Sequence, residues 1–249
     1  MPLRNGIGDL TRSSRWLDRV ENLTGGHSMT DMQSIEVAIA ARDATLHGTF
    51  TLPAQAKGIV AFAHGSGSSR FSRRNQRVAQ YLNQALLGTL LFDLLTQEEN
   101  NVDEFTSEFR FDIPLLARRL TDAIDWLDTQ AQTRALPIGL FGASTGAAAA
   151  LIAAADRPRR VGAVVSRGGR PDLAGEALNR VLAPTLFIVG GWDTEVIALN
   201  EQAAKQLTCE HRTIIIPEAT HLFEEPGKLD EVSRLAAGWF GRHLTAASK

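Results

Sequence analysis

Apolar and polar residues alternate along two neighbouring stretches of the chain, residues 35–41 and 44–52. A period of two is that of a strand with one buried face, and the short break between the stretches predicts an antiparallel hairpin. Two later stretches, 58–64 and 88–95, are almost continuously apolar. Such runs are typical of strands that are buried on both faces, as in the middle of a parallel sheet.

From residue 72 onward, segments with the helical period alternate with short strand-like runs. The helical segments are 72–86, 111–130, 173–182, 196–207 and 228–244, with an alanine-rich helix after residue 144. The strand-like runs are 135–142, 161–167, 183–191 and 212–217. This order predicts an α/β fold, a mostly parallel sheet with helices on both faces. We expect one domain over residues 34–249, with no segment long enough for a large cap domain.

Two segments lack this regular pattern. Residues 1–33 are polar and arginine-rich and are interrupted by glycines, so we expect a poorly ordered or weakly helical N-terminal extension. Residues 96–110 are acidic and carry no apolar periodicity. We expect them to form a surface excursion. Because they follow a strand at the edge where ligands bind, we expect them to overhang the site as a short lid.

The composition narrows the class of protein. Of the 249 residues 44% are hydrophobic and 22% charged, as in soluble globular proteins with a sizeable core. A net charge of −2 gives no reason to expect binding to nucleic acid or to an anionic membrane. The single cysteine, Cys209, excludes an intramolecular disulfide and fits a reducing compartment. Because neither a membrane span nor a secretory signal is recognisable, we expect a cytoplasmic protein, either a monomer or a homodimer.

A candidate nucleophile lies where a predicted strand runs directly into a helix. Residues 142–146 read Gly-Ala-Ser-Thr-Gly, a G-x-S-x-G motif centred on Ser144. A turn this tight pushes the serine hydroxyl out above the sheet and needs small residues two positions away on either side. The helix that begins at Thr145 also directs its N-terminal N–H groups towards a developing oxyanion. The alternative is a small-residue turn that only allows close packing of strand and helix.

Two further residues have the positions that the partners of a nucleophilic serine need. His221 follows the last predicted strand and is the one histidine of six placed to reach the strand-to-helix turn at Ser144, which we call the elbow. Asp193 follows the preceding strand, where a carboxylate can accept the second imidazole N–H and fix the tautomer; its alternative role is to cap the next helix. The chain order Ser144, Asp193, His221 is that of α/β-hydrolases and of neither other common serine triad.

The loop after the first buried strand, residues 64–69, reads His-Gly-Ser-Gly-Ser-Ser. In α/β-hydrolases this loop supplies one oxyanion N–H group, and the residue after the nucleophile supplies the other. We therefore expect the backbone amides of Ser66 and Thr145 to form the oxyanion hole, with the His64 side chain bracing the loop.

The same loop has a competing interpretation as a dinucleotide site. Gly65 and Gly67 would then bind phosphate, and Asp93, at the end of the next strand, would bind a ribose. That motif needs a third glycine where this chain has Arg70, and it leaves the serine elbow unexplained.

Three arginines lie in loops at the same predicted edge of the sheet, where open α/β sheets bind their ligands. They are Arg70, Arg167 and Arg170. Together they could bind a substrate carboxylate. The alternative is surface charge, or ion pairs to the acidic segment 98–108.

These segments together resemble the dienelactone hydrolase-like branch of the α/β-hydrolase superfamily, from about residue 35 onward. The stretches that carry the resemblance are HGSGSSR (64–70), LLFDLLT (90–96), FGASTGAAAAL (141–151), VVSRGGRPDLAG (164–175), VGGWD (189–193) and ATHLFEEPG (219–227). The resemblance implies an α/β-hydrolase fold with an eight-stranded sheet, and a serine-dependent hydrolase with no metal and no organic cofactor. Similar domains are sometimes joined to a phosphoribosyltransferase, for which residues 1–33 are too short.

The chain departs from dienelactone hydrolases proper at the nucleophile, where they have cysteine and this chain has Ser144. Cys209 precedes a late strand and cannot replace it. We therefore predict hydrolysis of small carboxylic esters or lactones through an acyl-enzyme on Ser144, with His221 as general base and Asp193 as the orienting carboxylate. The alternatives are a thioesterase or small peptidase with the same machinery, or a non-catalytic binding protein.

Overall fold

The computed structural model of the chain describes residues 33–244, so the predictions for residues 1–33 fall almost wholly outside the described part. Within it the main chain forms an eight-stranded sheet. The strands are β1 Ser34–Ala40, β2 Thr45–Thr51, β3 Ile59–Ala63, β4 Gly88–Phe92, β5 Ile138–Ala143, β6 Val161–Arg167, β7 Thr185–Gly190 and β8 His211–Ile216.

The strand order across the sheet is β1-β2-β4-β3-β5-β6-β7-β8. β1 and β2 form the predicted antiparallel hairpin, and β2 is also antiparallel to β4. All other neighbours are parallel, so β3 to β8 end at one edge of the sheet. This edge therefore collects the loops after β3, β5, β6, β7 and β8, and the predicted site residues lie in these loops or at the strand ends beside them.

Helices cover both faces of the sheet, as the sequence predicted. They are α1 Arg73–Gln84, α2 Gln97–Thr106, α3 Ile113–Thr129, α4 Thr145–Asp156, α5 Thr194–Ala204 and α6 Lys228–His243, with a 3-10 segment at Pro171–Arg180. α1 packs against α6, whereas α3, α4 and the 3-10 segment pack together. These two groups lie on opposite faces, because a side chain at Gly139 of β5 would meet α6 and one at Gly142 would meet α4.

The sequence analysis did not predict one helix and was inexact about another segment. Residues 97–106 of the expected surface excursion form α2, which begins with a capping box between Thr96 and Glu99. The expected helix over 173–182 is the 3-10 segment, which begins one residue after Arg170 and is broken at Gly175, where φ is 52°.

The core is built from the middle strands and from α4. Every residue of β3, β4, β5 and β7 is buried. The alanines of α4 are buried as well, and their small side chains let this helix lie close to the sheet beneath the elbow. No helix in the described part of the chain is long and apolar enough to span a membrane.

Candidate active site

Ser144 occupies the turn between β5 and α4 in a conformation that non-glycine residues rarely adopt. Its φ is 50° and its ψ is −123°, which costs about 1–3 kcal/mol of backbone strain. A Cβ atom at Gly142 would overlap the backbone of Ala147, and one at Gly146 would overlap the carbonyl oxygen of Ala63. The two glycines of the motif are therefore required by close packing around the serine.

Asp193 and His221 form a hydrogen-bonded pair at the same edge of the sheet. The His221 Nδ1 atom lies 2.6 Å from Asp193 Oδ2. The His221 side chain is 36% exposed and that of Asp193 is 17% exposed, so the imidazole is open to the site while the carboxylate is largely enclosed. A proton on Nδ1 is donated to Asp193, which leaves the Nε2 lone pair free to accept a proton.

The turn after β6 lies between the elbow and the loop between β8 and α6, which contains His221 and which we call the histidine loop. The Ser144 N–H donates to the Arg167 carbonyl oxygen at 3.3 Å. The next residue, Gly168, has φ 50°, and a Cβ atom there would lie 3.4 Å from the His221 ring. Among the described residues no hydrogen bond joins the Ser144 hydroxyl to His221. Catalytic contacts of this kind are often long in the absence of substrate.

The two residues predicted to form the oxyanion hole are adjacent in the structure. The Ser66 and Thr145 hydroxyls lie 3.0 Å apart, which joins the loop after β3 to the first turn of α4. Gly67 has φ 64°, as the third residue of a type II turn requires, and Gly65 lies against the Ser144 side chain. Small residues therefore keep this loop close to the serine.

His64 braces the same loop from beneath. Its ring is buried, and Nε2 accepts the Leu94 N–H at 3.1 Å while Nδ1 lies 3.0 Å from the Gly65 carbonyl oxygen. Both contacts are satisfied by a neutral ring that carries its proton on Nδ1. Burial lowers the pKa of His64, although the Gly65 carbonyl and Asp93 act in the opposite direction. His64 therefore has a structural role in positioning the loop over residues 64–69, which we call the oxyanion loop after the role predicted for it.

The three arginines predicted to bind substrate differ in their partners. Arg70 donates to Asp93 at 2.6 Å and to Glu36 at 3.2 Å, and Arg170 forms two hydrogen bonds to Asp172. The charge of each is thus already balanced by a protein carboxylate. Neither Asp93 nor Asp172 was considered as a partner in the sequence analysis, although Asp172 is only two residues from Arg170.

Arg167 differs from the other two because it has no acidic partner among the described residues. Its side chain is buried, and its Nε atom has no hydrogen-bond acceptor. Burial, and to a smaller extent the neighbouring Arg74, lower its pKa to about 10, so it remains charged at neutral pH. Arg74 was not recognised from the sequence, because its approach to Arg167 depends on how α1 packs.

In this structure Asp93 is not available to bind a ribose, so the alternative of a dinucleotide site lacks its acidic residue. Both oxygens of Asp93 are taken by Arg70, Oδ1 by the backbone N–H at 2.8 Å and Oδ2 by the guanidinium. Gly65 lies against the elbow at Ser144, and Gly67 lies near the Arg110 side chain.

The chain belongs to the dienelactone hydrolase family, whose model matches residues 47–241. It is 57% identical to a dienelactone hydrolase of known structure from Anabaena variabilis, with a TM-score of 0.84 over 85% of this chain and 98% of that one. Together with the sheet, this establishes an α/β-hydrolase fold without a large cap domain. Est1E from Butyrivibrio proteoclasticus shares the fold at 15% identity, with a TM-score of 0.68 over 83% of this chain and 97% of that one.

Two curated relatives from Mycobacterium tuberculosis have a different name. Each is 54% identical over 209 residues, and their names assign them provisionally to the phosphoribosyl transferases. The match covers 84% of this chain but only 46% of each relative, so the chain spans about half the length of these proteins. Membership of the dienelactone hydrolase family, in contrast, rests on the matched region itself and indicates a hydrolase.

Proposed function

We propose that this chain is a serine hydrolase that cleaves small carboxylic esters or lactones. The observation that carries the proposal is the position of a strained serine elbow beside a histidine whose Nδ1 lies 2.6 Å from a carboxylate. A structural turn has no need of a positive φ at a serine, and a solvated histidine has no need of a largely enclosed acid behind it. Family membership supports a hydrolase, and the position of Ser144 at the elbow supports it as the nucleophile.

In the proposed mechanism His221 Nε2 takes the proton of the Ser144 hydroxyl as Oγ attacks the acyl carbon. Asp193 stabilises the imidazolium that forms, and the oxyanion accepts hydrogen bonds from the Ser66 and Thr145 amides. His221 then returns the proton to the leaving alcohol, which departs and leaves an acyl group on Ser144. Water, deprotonated by the same imidazole, attacks the acyl-enzyme and releases the acid. No step requires a metal or an organic cofactor.

The substrate we propose is a small ester or lactone, because no large cap domain is present in the described part of the chain. Arg110, in the turn after the ten-residue α2, approaches Gly67 of the oxyanion loop. A thioesterase or peptidase would use the same residues and differ in the groups that contact the leaving group. We assign no phosphoribosyl transfer to this chain, because the relatives so named are about twice as long as the matched region.

The experiment compares the wild-type chain with Ser144→Ala on p-nitrophenyl esters from C2 to C12. We expect activity to fall with acyl length, and kcat to fall by about 10⁴–10⁶-fold in the variant. Ser233→Ala is the matched control, because Ser233 lies on α6, where its hydroxyl donates to the Leu229 carbonyl oxygen.

A fluorophosphonate probe distinguishes an enzyme from a binding protein. It should label the wild-type chain and Ser233→Ala and leave Ser144→Ala unlabelled. Equal ester hydrolysis by wild type and Ser144→Ala, or no labelling of any of the three, would contradict the proposed function.

A further inference from the structure

Asn200 is a fully buried amide side chain in the middle of α5. Its Nδ2 atom donates to the carbonyl oxygen of Gly169 at 2.9 Å and to that of Val196 at 2.8 Å. Because a carbonyl oxygen can only accept, these two contacts fix which end of the amide faces them. The Oδ1 atom at the other end is buried and has no hydrogen-bond partner among the described residues.

Stability does not explain an asparagine at this position. Asparagine forms helices less readily than leucine, which is of similar size and has no polar atoms to satisfy. The bond to Val196 lies within α5 and only satisfies a donor that leucine would lack. An unpaired buried acceptor also costs at least as much as one hydrogen bond contributes. What the asparagine adds is the bond to Gly169, which lies 31 positions away in sequence.

Gly169 belongs to the turn after β6, which contacts both the candidate nucleophile and the candidate base. The next residue, Arg170, donates its N–H to the Ser144 carbonyl oxygen at 3.0 Å. The preceding residue, Gly168, lies against the histidine loop, where a Cβ atom on it would be 3.0 Å from the His221 carbonyl oxygen. The position of the Gly169 peptide therefore affects both residues that take part in the proton transfer.

The helix that carries Asn200 begins at the candidate acid. Asp193 immediately precedes α5, and its carbonyl oxygen accepts the N–H of Ile197 in the first turn at 3.0 Å. Asn200 follows seven residues after Asp193, which is about two turns of helix. Its amide thus connects the helix that begins at the acid to the turn that touches the serine and the histidine.

We propose that Asn200 is a positioning residue for the candidate triad, and that its amide holds the turn after β6 against α5. The inference rests on the proposed function, because it concerns the same serine, histidine and acid. Asn200 donates to no triad side chain and acts through Gly169. Without this bond the turn and α5 shift relative to each other. The contact between His221 and Asp193 then loosens, and Nε2 is directed less often at the Ser144 hydroxyl.

The chain offers a matched pair of substitutions. Asn200→Leu removes the amide and keeps a side chain of similar size. Asn83→Leu is the control, because Asn83 is also buried in a helix, α1, where its Nδ2 atom donates to the Leu87 carbonyl oxygen at 2.9 Å and to the Thr89 hydroxyl at 3.0 Å. These partners lie at the start of β4, at the edge of the sheet opposite the candidate site. We expect the melting temperature to fall no further in Asn200→Leu than in Asn83→Leu.

Kinetics on p-nitrophenyl acetate separate positioning from folding. We expect Asn200→Leu to lower kcat by about 10–100-fold and to change KM by less than about threefold, because a catalytic group displaced by about 1 Å loses rate and not binding. Asn83→Leu should keep the wild-type kcat. In an Asp193→Ala background, Asn200→Leu should lower kcat by less than about threefold, since residues that act as a unit are not additive. An equal loss of kcat in both backgrounds overturns the proposal.

Proton NMR tests the same inference without any catalysis. The proton between His221 Nδ1 and Asp193 Oδ2, which are 2.6 Å apart, should give a downfield signal that Asp193→Ala abolishes. We expect this signal to shift or broaden in Asn200→Leu and to stay unchanged in Asn83→Leu. The proposal is overturned if the wild type lacks the signal, or if the signal is the same in Asn200→Leu. Ester hydrolysis that depends on Ser144 would in that case leave the proposed function standing, whereas hydrolysis independent of Ser144 would contradict the function alone.

Discussion

Gly168 and Gly175 share an unusual backbone and differ in their surroundings. Their φ angles are 50° and 52°, a backbone region that residues other than glycine rarely adopt. A Cβ atom at Gly168 would lie 3.0 Å from the His221 carbonyl oxygen and 3.4 Å from its ring, whereas one at Gly175 would meet nothing within 4 Å. Comparing substitutions at these two glycines therefore separates the effect of backbone strain from the effect of displacing His221.

We predict that Gly168→Ala lowers kcat for p-nitrophenyl acetate by about 10–100-fold, because a shift of about 1 Å in a catalytic base has this effect. Gly175→Ala should lose a similar stability, about 1–2 kcal/mol from the strained backbone, and keep its kcat. Melting temperature and steady-state kinetics are measured on both. A parallel loss of kcat in the two variants would show that strain alone is responsible.

At the residue scale, the sequence identified what local geometry dictates and missed what packing decides. The glycines around Ser144 are predictable because a strand-to-helix elbow has no room for side chains there. The partners of the arginines are not, since the ion pair between Arg70 and Asp93 joins residues 23 positions apart in sequence. Arg74 pairs with Glu224 of the histidine loop only because α1 packs beside that loop, which no local pattern reveals.

At the scale of elements, α2 presents an unusual pattern of burial. Its buried residue is Asp103, while Phe105 is 89% exposed. Asp103 accepts the backbone N–H groups of Phe109 and Arg110 and the Arg110 side chain, which fixes the turn that follows the helix. The Arg110 Nη1 atom in turn lies 3.6 Å from the position of a Cβ on Gly67 in the oxyanion loop. A single buried carboxylate therefore positions α2 next to the site.

Asp103→Asn should destabilise the chain by about 1.5–3 kcal/mol, the range for hydrogen bonds to a charged group. The amide retains one acceptor oxygen but directs N–H groups at the Arg110 guanidinium. Urea unfolding measures the difference, and Glu104→Gln, at an exposed position of the same helix, is the control. Equal midpoints for the two variants would refute a specific role for the buried carboxylate.

The pattern of burial also explains which elements the sequence predicted. Strands and helices with an apolar stripe or run were found to within a few residues, because their burial is continuous. α2 was missed because its apolar residues face solvent and its buried residue is an acid, so no amphipathic period exists. Its capping box, Thr96 and Glu99, was the one local signal. The sequence predicted a helix in place of the 3-10 segment because the residues on both sides of Gly175 follow a helical pattern. The break lies at Gly175 itself.

For the whole molecule, the parallel sheet brings together residues that are distant in sequence. The loops after β3, β5, β7 and β8 meet at one edge because parallel strands end there. Buried polar groups, of which His64 is one, lie beneath these loops, and ion pairs lie around them. The stability of the fold is thus coupled to the ionisation of groups that support the site.

We predict that acid destabilises the molecule in two stages. Burial lowers the pKa of His64, so the folded state takes up this proton later than the unfolded chain and stability falls as pH drops below 6.5, by up to about 1.4 kcal/mol per pH unit. The pKa of Asp125 is lowered by hydrogen bonds from Arg157. Burial would raise the pKa of Asp103, but hydrogen bonds from Arg110 and Phe109 outweigh this effect and lower the pKa. The stability that these two carboxylates contribute is lost below about pH 3.8.

His64→Gln separates the two stages, because glutamine can accept the Leu94 N–H but does not titrate. Unfolding free energies from urea titrations between pH 8 and pH 3 should show a smaller first decline in the variant than in the wild type, while both decline steeply below pH 4. The part of the first decline that remains in the variant comes from His243, whose pKa burial also lowers. A wild-type curve that is flat between pH 7 and pH 5 would mean that the His64 ring is protonated equally in the folded and unfolded chains. The imidazole would then not be the neutral acceptor on which the position of the oxyanion loop depends.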